Sequence, residues 1–576
     1  MDIRQGLRAG VLAFAMCAIA ACGGGGGDDA PAPAPGAGGG GGGTPTTPEP
    51  PAPYPDIPAT DADAARFLTQ ASFGPTASEI TRLRQIGYRR WLDEQIDPSR
   101  TPATLVLPHL QQLVANGVLA ADLRPQHRRN YWLWQTAVGR DQLRMRMAFA
   151  LSEIFVVSDR EVADSTATVN RIADYQDTLA RGAFGSYRTL LEQVSLHPAM
   201  GYFLSHVGNR KADPRRNITP DENYGREVMQ LFSIGLVERN KDFSPVLDGA
   251  GQTVPTYDEQ VVSAMARAFT GWTYAGQTDA QFGRGDNTSF APMECHAAFH
   301  DDQPKQIFRG IVVNEGSNCV ATLARTLDAL AAHPNVAPFI SRQLIQRFVT
   351  SNPSPAYVGR ISDVWLSSNG NLGQVIRAIL LDTEARLPPP DAGFGKAREP
   401  LVKLATLWRA FGATYTPPAN GEVRFGFSNA GDLTASLMQD SQRAPSVFNF
   451  FEPDNRLPAA DGVQGLFAPE FQILTEASYL SMINQHDSLV WGNSSTTTNA
   501  PILDIARLVA LAETRDHAGM VQHVNLLLFH GSLGNASAQA MTGMLDRLAT
   551  ANESAANRAK SLVLIALASP EFAVQR

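Results

Sequence analysis

From about residue 60 almost to its end, the chain places apolar residues three and four apart and rarely two apart. That period is the signature of helices with a buried face, whereas half-buried strands alternate. The expected fold is therefore all-α: a large multi-helix globular body with few short strands, placed near 245–255 and 280–315. Leu143, Met147, Ala150, Leu151, Ile154 and Phe155 share one helical face, with Met145 and Phe149 on the other. A helix apolar all round is buried all round, so Arg146 and Glu153 on it need partners. Thr76 with Glu79 forms a capping box. Thr219, Pro220 and Glu222 predict a helix from Thr219 to a stop at Gly235, and Thr256 with Glu259 opens the next. Further helices are expected over 321–332, 336–350, 355–366, 372–382, 396–411, 468–483, 502–513, 518–529, 535–550 and 554–568.

The N-terminus is different. Arg4 and Arg8 precede a short apolar run, Val11 to Ala21, which ends in Ile19-Ala20-Ala21-Cys22. The run is too short to be a permanent membrane span and reads as an export signal over residues 1–22. Small residues before a cysteine resemble a bacterial lipobox, which makes Cys22 the lipidation site. The alternative is an ordinary cleaved signal that happens to end beside a cysteine. Gly23 after Cys22 favours the outer membrane. Residues 23–58 hold glycine runs and prolines without apolar periodicity, and read as a disordered tether to the body at 59–576. Within that body Leu387-Pro388-Pro389-Pro390 marks a candidate seam, near 387–395, between two helical lobes. The segments IRAILLDTEA from Ile376 and VLIALASPEF from Val563 look alike, each ending in Glu384 or Glu571. They read either as a duplicated helical unit or as two amphipathic helices of simple pattern.

Several phrases occur together: ARFLTQASFGPT near residue 65, HPAMGYFL from His197, ENYGREVMQLFSIGL from Glu222 and YDEQVVSAMARAFTGW from Tyr257. HDDQPKQIFRG from His300, FISRQLIQRFV from Phe339, KAREPLVKL from Lys396 and PSVFNFFEPDN from Pro445 continue the series. In this order they resemble the bacterial family called domain of unknown function 1800, from about Ala62 to near the C-terminus. The resemblance implies a large, often exported bacterial protein. It brings no activity and no catalytic residues. Gly225 stands where the family more often has Ala, which weakens the helix or admits a close neighbour.

Two constellations could carry chemistry. In the first, His296 and His300 are four apart, followed by Asp301 and Asp302. On a helix this set suits a divalent transition metal such as zinc or iron, but Pro292 and Pro304 bracket it, and a polar loop reads equally well. The second is the stripe Asn223, Arg226, Glu227 and Gln230, which can bind a polar or anionic ligand or lie as a solvated face. Cys295 and Cys319 are the cysteines left after signal removal and lipidation, and form either a disulfide or two separate thiols. His197 and His333, each before a proline, read as helix ends; Phe448, Phe450 and Phe451 read as core packing.

With a formal net charge of −8, the chain lacks the basic excess that a phosphate backbone demands, so nucleic acid is not expected as a partner. Phosphate-cradling loops, nucleophile elbows, dinucleotide fingerprints and haem-attachment cysteines are missing from the sequence. The expectation is an envelope-tethered binding or assembly module, held to the membrane by its lipid, with an exported protein or a polysaccharide as partner. The alternative is a metal-assisted enzyme acting on an extracellular polymer such as a polysaccharide, through His296 and His300.

Overall fold

A computed structural model describes residues 54–160, 166–285, 290–308, 310–389, 393–424, 437–457, 465–492 and 501–576. The export signal, Cys22 and most of the tether lie outside these residues. The architecture is all-α. Helices are joined by short loops, and the strands are two-residue pairs, such as Lys305–Gln306 with Val312–Val313 and Lys396–Ala397 with Val574–Gln575. The expected hairpin near 245–255 is a ladder of single bridges, Val237 with Pro255, Arg239 with Pro245 and Leu247 with Thr253.

The buried helix is Gln142–Ser152, and all its residues but the last are buried. Both of its ionisable side chains find partners: Arg146 lies 3.7 Å from Glu399, and Glu153, just past the helix, 3.2 Å from Arg347. Thr76 caps Ala77–Ile86 through the Glu79 amide. The later helices fall close to their expected spans, among them Val336–Phe348, Pro355–Ser367, Leu372–Leu381, Asn535–Thr550 and Ala555–Leu567. The segments expected over 396–411 and 468–483 start late. The first opens with the strand Lys396–Ala397 before the helix Pro400–Ala410, and the second yields Glu476–Trp491.

Two helix starts differ from the sequence reading. The helix expected from Thr219 begins at Asn223, because Asn209 clamps Asp221 through Oδ1 at 2.8 Å and the Asp221 carboxylate takes the Asn223 amide. The helix expected from Thr256 is capped by Asp258 instead, while the Thr256 hydroxyl donates to the Gly235 carbonyl at 2.5 Å. In both places a long-range hydrogen bond outcompetes the local cap.

One large hydrophobic core runs from Ala64 to Phe572 and takes residues from both sides of the expected seam. Helix Pro400–Ala410 packs on Pro125–Val138, and Arg409 reaches Glu79 and donates to the Gly74 carbonyl. The body also begins earlier than composition suggests: Tyr54 bonds to the Leu381 carbonyl and Asp56 pairs with Arg89 at 3.2 Å. Among the described residues, no helix is long and apolar enough to cross a membrane.

Candidate functional site: a cleft of arginines and phenylalanines

Helix Val336–Phe348 is buried on nearly every side, yet it carries Arg342, Gln343, Gln346 and Arg347. Phe339, Arg342, Gln343 and Arg347 follow the helical spacing that groups side chains on one face. That face forms a wall of a cleft of about 570 Å³. The segment 235–243 forms another wall. Gly235 holds φ +71, and a Cβ there would come within 2.7 Å of the Phe339 ring, so the close approach needs glycine. The third wall is the loop from Val447 to Arg456. It is pinned by Gln346, which donates to the Pro453 carbonyl at 2.9 Å, and by Asn455, which donates to the Ala468 carbonyl at 2.8 Å.

Guanidinium groups and phenyl rings alternate across this cleft. Arg239 sits 4.4 Å from the Phe243 centroid, Arg342 lies 4.7 Å from Phe243 and 4.4 Å from Phe467, and Arg456 lies 4.2 Å from Phe467. Arg347 covers Phe451 at 4.5 Å. Such stacking compensates part of the desolvation of a buried cation and fixes the plane of each fork. Phe243 holds a φ of +68, costly for a bulky residue.

The hydrogen bonding of this lining is incomplete. Arg342 Nη2, Gln343 Nε2 and Asn449 Nδ2 are buried without a hydrogen-bond partner among the described residues, in residues 5%, 5% and 7% exposed. All three are donors. Burial lowers the Arg342 guanidinium to about 10, with Asp454 opposing and Arg239 and Arg456 adding to the shift. It therefore stays charged at neutral pH.

Beneath the floor lies a charge network. Lys396 stands 3.3 Å from Glu399 and 3.0 Å from Glu470, and Gln439 donates to Glu153 at 3.3 Å and to Glu399 at 2.9 Å. Burial pushes the Glu153 carboxyl up to about 8; Arg347 opposes this and Glu399 reinforces it. Burial acts on Glu399 too, but Lys396, Arg146 and Arg347 together hold it well below the usual carboxylate range. One carboxyl of the pair is thus a hydrogen-bond donor near neutrality and the other a fixed anion.

The sequence candidates are placed as follows. Gln230 lines the cleft. Arg226 is at the surface, paired with Glu222 at 3.2 Å and Glu259 at 3.4 Å, and Asn223 is exposed. Glu227 is buried, its Oε2 without a hydrogen-bond partner among the described residues, and burial raises its carboxyl against the pull of Arg226. The stripe is therefore split among three environments. Phe451 packs in the core, but Phe448 is 45% exposed at the cleft, not the core residue that composition suggested.

His296, His300, Asp301 and Asp302 do not converge. The piece between the histidines is a three-residue 3₁₀ turn, so the four-residue spacing does not place them on one face. His300 is fully buried, its Nδ1 donating to the Thr270 carbonyl at 2.7 Å and its Nε2 facing the Thr322 hydroxyl at 3.1 Å. His296 turns to Asp279 at 2.6 Å. Asp301 lies 3.5 Å from Arg267 and 3.6 Å from Lys305, while exposed Asp302 accepts from Gln303 at 2.7 Å. Among the described residues no group of three or more His, Cys, Asp or Glu could hold a metal. Cys295 and Cys319 are bonded, with Cα atoms 5.9 Å apart. His197 ends the helix Tyr187–Leu196 and its ring also caps the next helix through the Ala199 amide.

Arg239, Arg342, Gln343, Arg347 and Asn449 were not singled out from sequence. The available signal was two arginines and two glutamines on a helix with no polar face. Four of the phrases quoted above, those starting at Glu222, Phe339, Lys396 and Pro445, meet in the cleft and its floor. A family model described as a protein of unknown function, DUF1800, matches residues 66–574. Comparison with curated proteins and with solved structures finds no match to the chain.

Proposed function

We propose that this chain, which belongs to the DUF1800 family, is a binding module tethered to the cell envelope, and that its ligand docks in the arginine–phenylalanine cleft. The observation that carries this reading is the set of three buried, unpartnered donors on Arg342, Gln343 and Asn449. A buried polar group without a partner costs about 1–3 kcal/mol, and a ligand seated in the cleft would complete these three. The volume falls within the roughly 300–1,000 Å³ typical of small-molecule sites. The dispersal of His296, His300, Asp301 and Asp302 gives the metal-assisted alternative no support.

The lipobox-like Ile19-Ala20-Ala21-Cys22, with Gly23 and the glycine- and proline-rich stretch after it, supports lipidation of Cys22 and an outer-membrane anchor, with a polysaccharide or an exported protein as partner. Two experiments test the reading. Cys22→Ser should abolish fatty-acid labelling and release the protein from membranes; retained labelling would reject the anchor. Calorimetric titration of the solubilised full chain with neutral and acidic envelope oligosaccharides should find a binder. Arg342→Ala should lose that binding and surface Arg226→Ala should keep it. Equal binding by both variants would remove the cleft from the function.

A further inference from the structure

We infer that the ligand of this cleft is an acidic saccharide, whose oxyanion, a uronate carboxylate or a sulfate ester, seats against Arg342, Gln343 and Asn449. The inference rests on the reading of the cleft as a ligand site.

The first ground is the sense of the missing hydrogen bonds. Arg342 Nη2, Gln343 Nε2 and Asn449 Nδ2 are all N–H donors, so what completes them must bring acceptors. An ionised oxygen is the strongest acceptor for a guanidinium and offers lone pairs to several donors at once.

The second ground is charge. Buried Arg128 pairs with Asp159 at 2.7 Å and Arg129 with Asp440 at 3.1 Å, whereas buried Arg342 in the cleft wall, like half-buried Arg239 and exposed Arg456 beside it, has no ion pair among the described residues. Arg347 is engaged with Glu153. Glu452, Asp454 and Arg456 are exposed cleft residues, so Arg342 and half-buried Arg239 are the unpaired charges of the inner wall. Arg342 is also ordered in advance. Held between Phe243 and Phe467, its fork loses little freedom when an oxyanion arrives.

The third ground is the mix of groups lining the cleft, with N–H donors inside and two carboxylates at its mouth. Sugar hydroxyls both accept and donate, so they can serve Gln343 and Asn449 inside and Glu452 and Asp454 at the mouth. The half-exposed ring of Phe448 offers an apolar face to a pyranose ring.

The test uses the solubilised full chain and four probes: an oligouronate, the same oligomer with its carboxyls reduced to alcohols, a sulfated neutral oligomer and an acidic peptide of similar length. Calorimetry should show the oligouronate or the sulfated oligomer binding at least about tenfold more tightly than the reduced one; which of the two binds identifies the oxyanion. Asn449→Asp, nearly isosteric and tolerant of the same backbone, should weaken the acidic probe by about tenfold by placing a carboxylate against it. Arg342→Lys, which keeps the charge but loses the fork, should weaken it too, with thermal melting confirming both folds. Equal affinity for the reduced oligomer would overturn the oxyanion and leave the cleft standing. Binding of the peptide alone would overturn the saccharide. Binding of no probe would remove both the inference and the cleft reading.

Discussion

Glu153 and Glu399 are joined through one glutamine, yet replacing each by glutamine should have very different costs. Glu153 holds its proton near neutrality, so Glu153→Gln replaces a neutral group by a neutral one and should cost about 1 kcal/mol or less at pH 7. Glu399→Gln strips the carboxylate from buried Arg146 and leaves Lys396 with Glu470 alone, and should cost about 3–5 kcal/mol. Urea unfolding of the two variants separates them; similar losses would reject the assignment of the proton. The pH dependence has a definite sign. The folded chain keeps a proton on Glu153 that the unfolded chain releases at the ordinary carboxylate value of 4.5. The contribution of Glu153 is thus complete below the ordinary range, falls as pH rises to about 8, and is flat above. Glu153→Gln should remove this slope, as unfolding at pH 5, 7 and 9 would show. That Arg146 and Glu153 needed partners was legible from a helix with no polar face. Which partners they took was not, because Arg347 and Glu399 lie about two hundred residues or more along the chain. The same distance hid the cleft: each arginine is unremarkable in its own segment, and only the fold stacks them.

Helical elements were legible because each buries one stripe and the stripe repeats in the sequence. Their starts were less so wherever a distant group competed for the cap, as at Asn223 and Asp258. The paired histidines failed for a related reason, since a helical spacing carries meaning only on a helix. The likeness around Glu384 and Glu571 extends to structure. Helix pairs Pro355–Ser367 with Leu372–Leu381 and Asn535–Thr550 with Ala555–Leu567 each end in a one-turn helix, Thr383–Arg386 or Pro570–Ala573. Glu384 takes a hydrogen bond from Ser354 at 2.5 Å, and Glu571 takes one from Ser537. Each glutamate thus reaches back to the first helix of its own pair. The strands that follow the two units then pair with each other, Lys396 opposite Gln575. At this scale the disulfide gives a clean prediction. It joins Cys295, in the loop-rich excursion after Trp272, to the start of helix Cys319–Ala331, across a separation of 24 residues. Removing it by Cys295→Ser with Cys319→Ser should cost about 3 kcal/mol from the restored freedom of the unfolded loop. Because the link lies outside the cleft lining, ligand affinity should be retained, and a variant that loses binding before stability would contradict that separation.

At the scale of the whole molecule, the proline-rich stretch near 387–395 reads as a seam between two helical lobes of one body, and the residues that close the body cross it. Phe572 is fully buried, with Arg398 stacked at 5.0 Å from its centroid. The Arg398 amide donates to the Ala573 carbonyl at 2.8 Å, and Gln575 donates to the Phe348 carbonyl at 2.7 Å, at the end of the helix that walls the cleft. Arg66, near the start of the body, bonds to the Arg576 carbonyl at 3.2 Å. The last seven residues therefore tie the first helix, the cleft helix and the segment after the break into one unit. A local linker signal could not reveal this, because composition reports where a chain can bend and not what folds back across the bend. Unfolding in urea should accordingly give one transition, with tertiary fluorescence and helical ellipticity lost together. Phe572→Ala should shift that whole transition by about 3–5 kcal/mol, and it should weaken ligand binding only as far as it unfolds the chain. Two separated transitions, or a Phe572→Ala variant in which one half melts early while the other keeps its midpoint, would show that the break at the prolines divides the body after all.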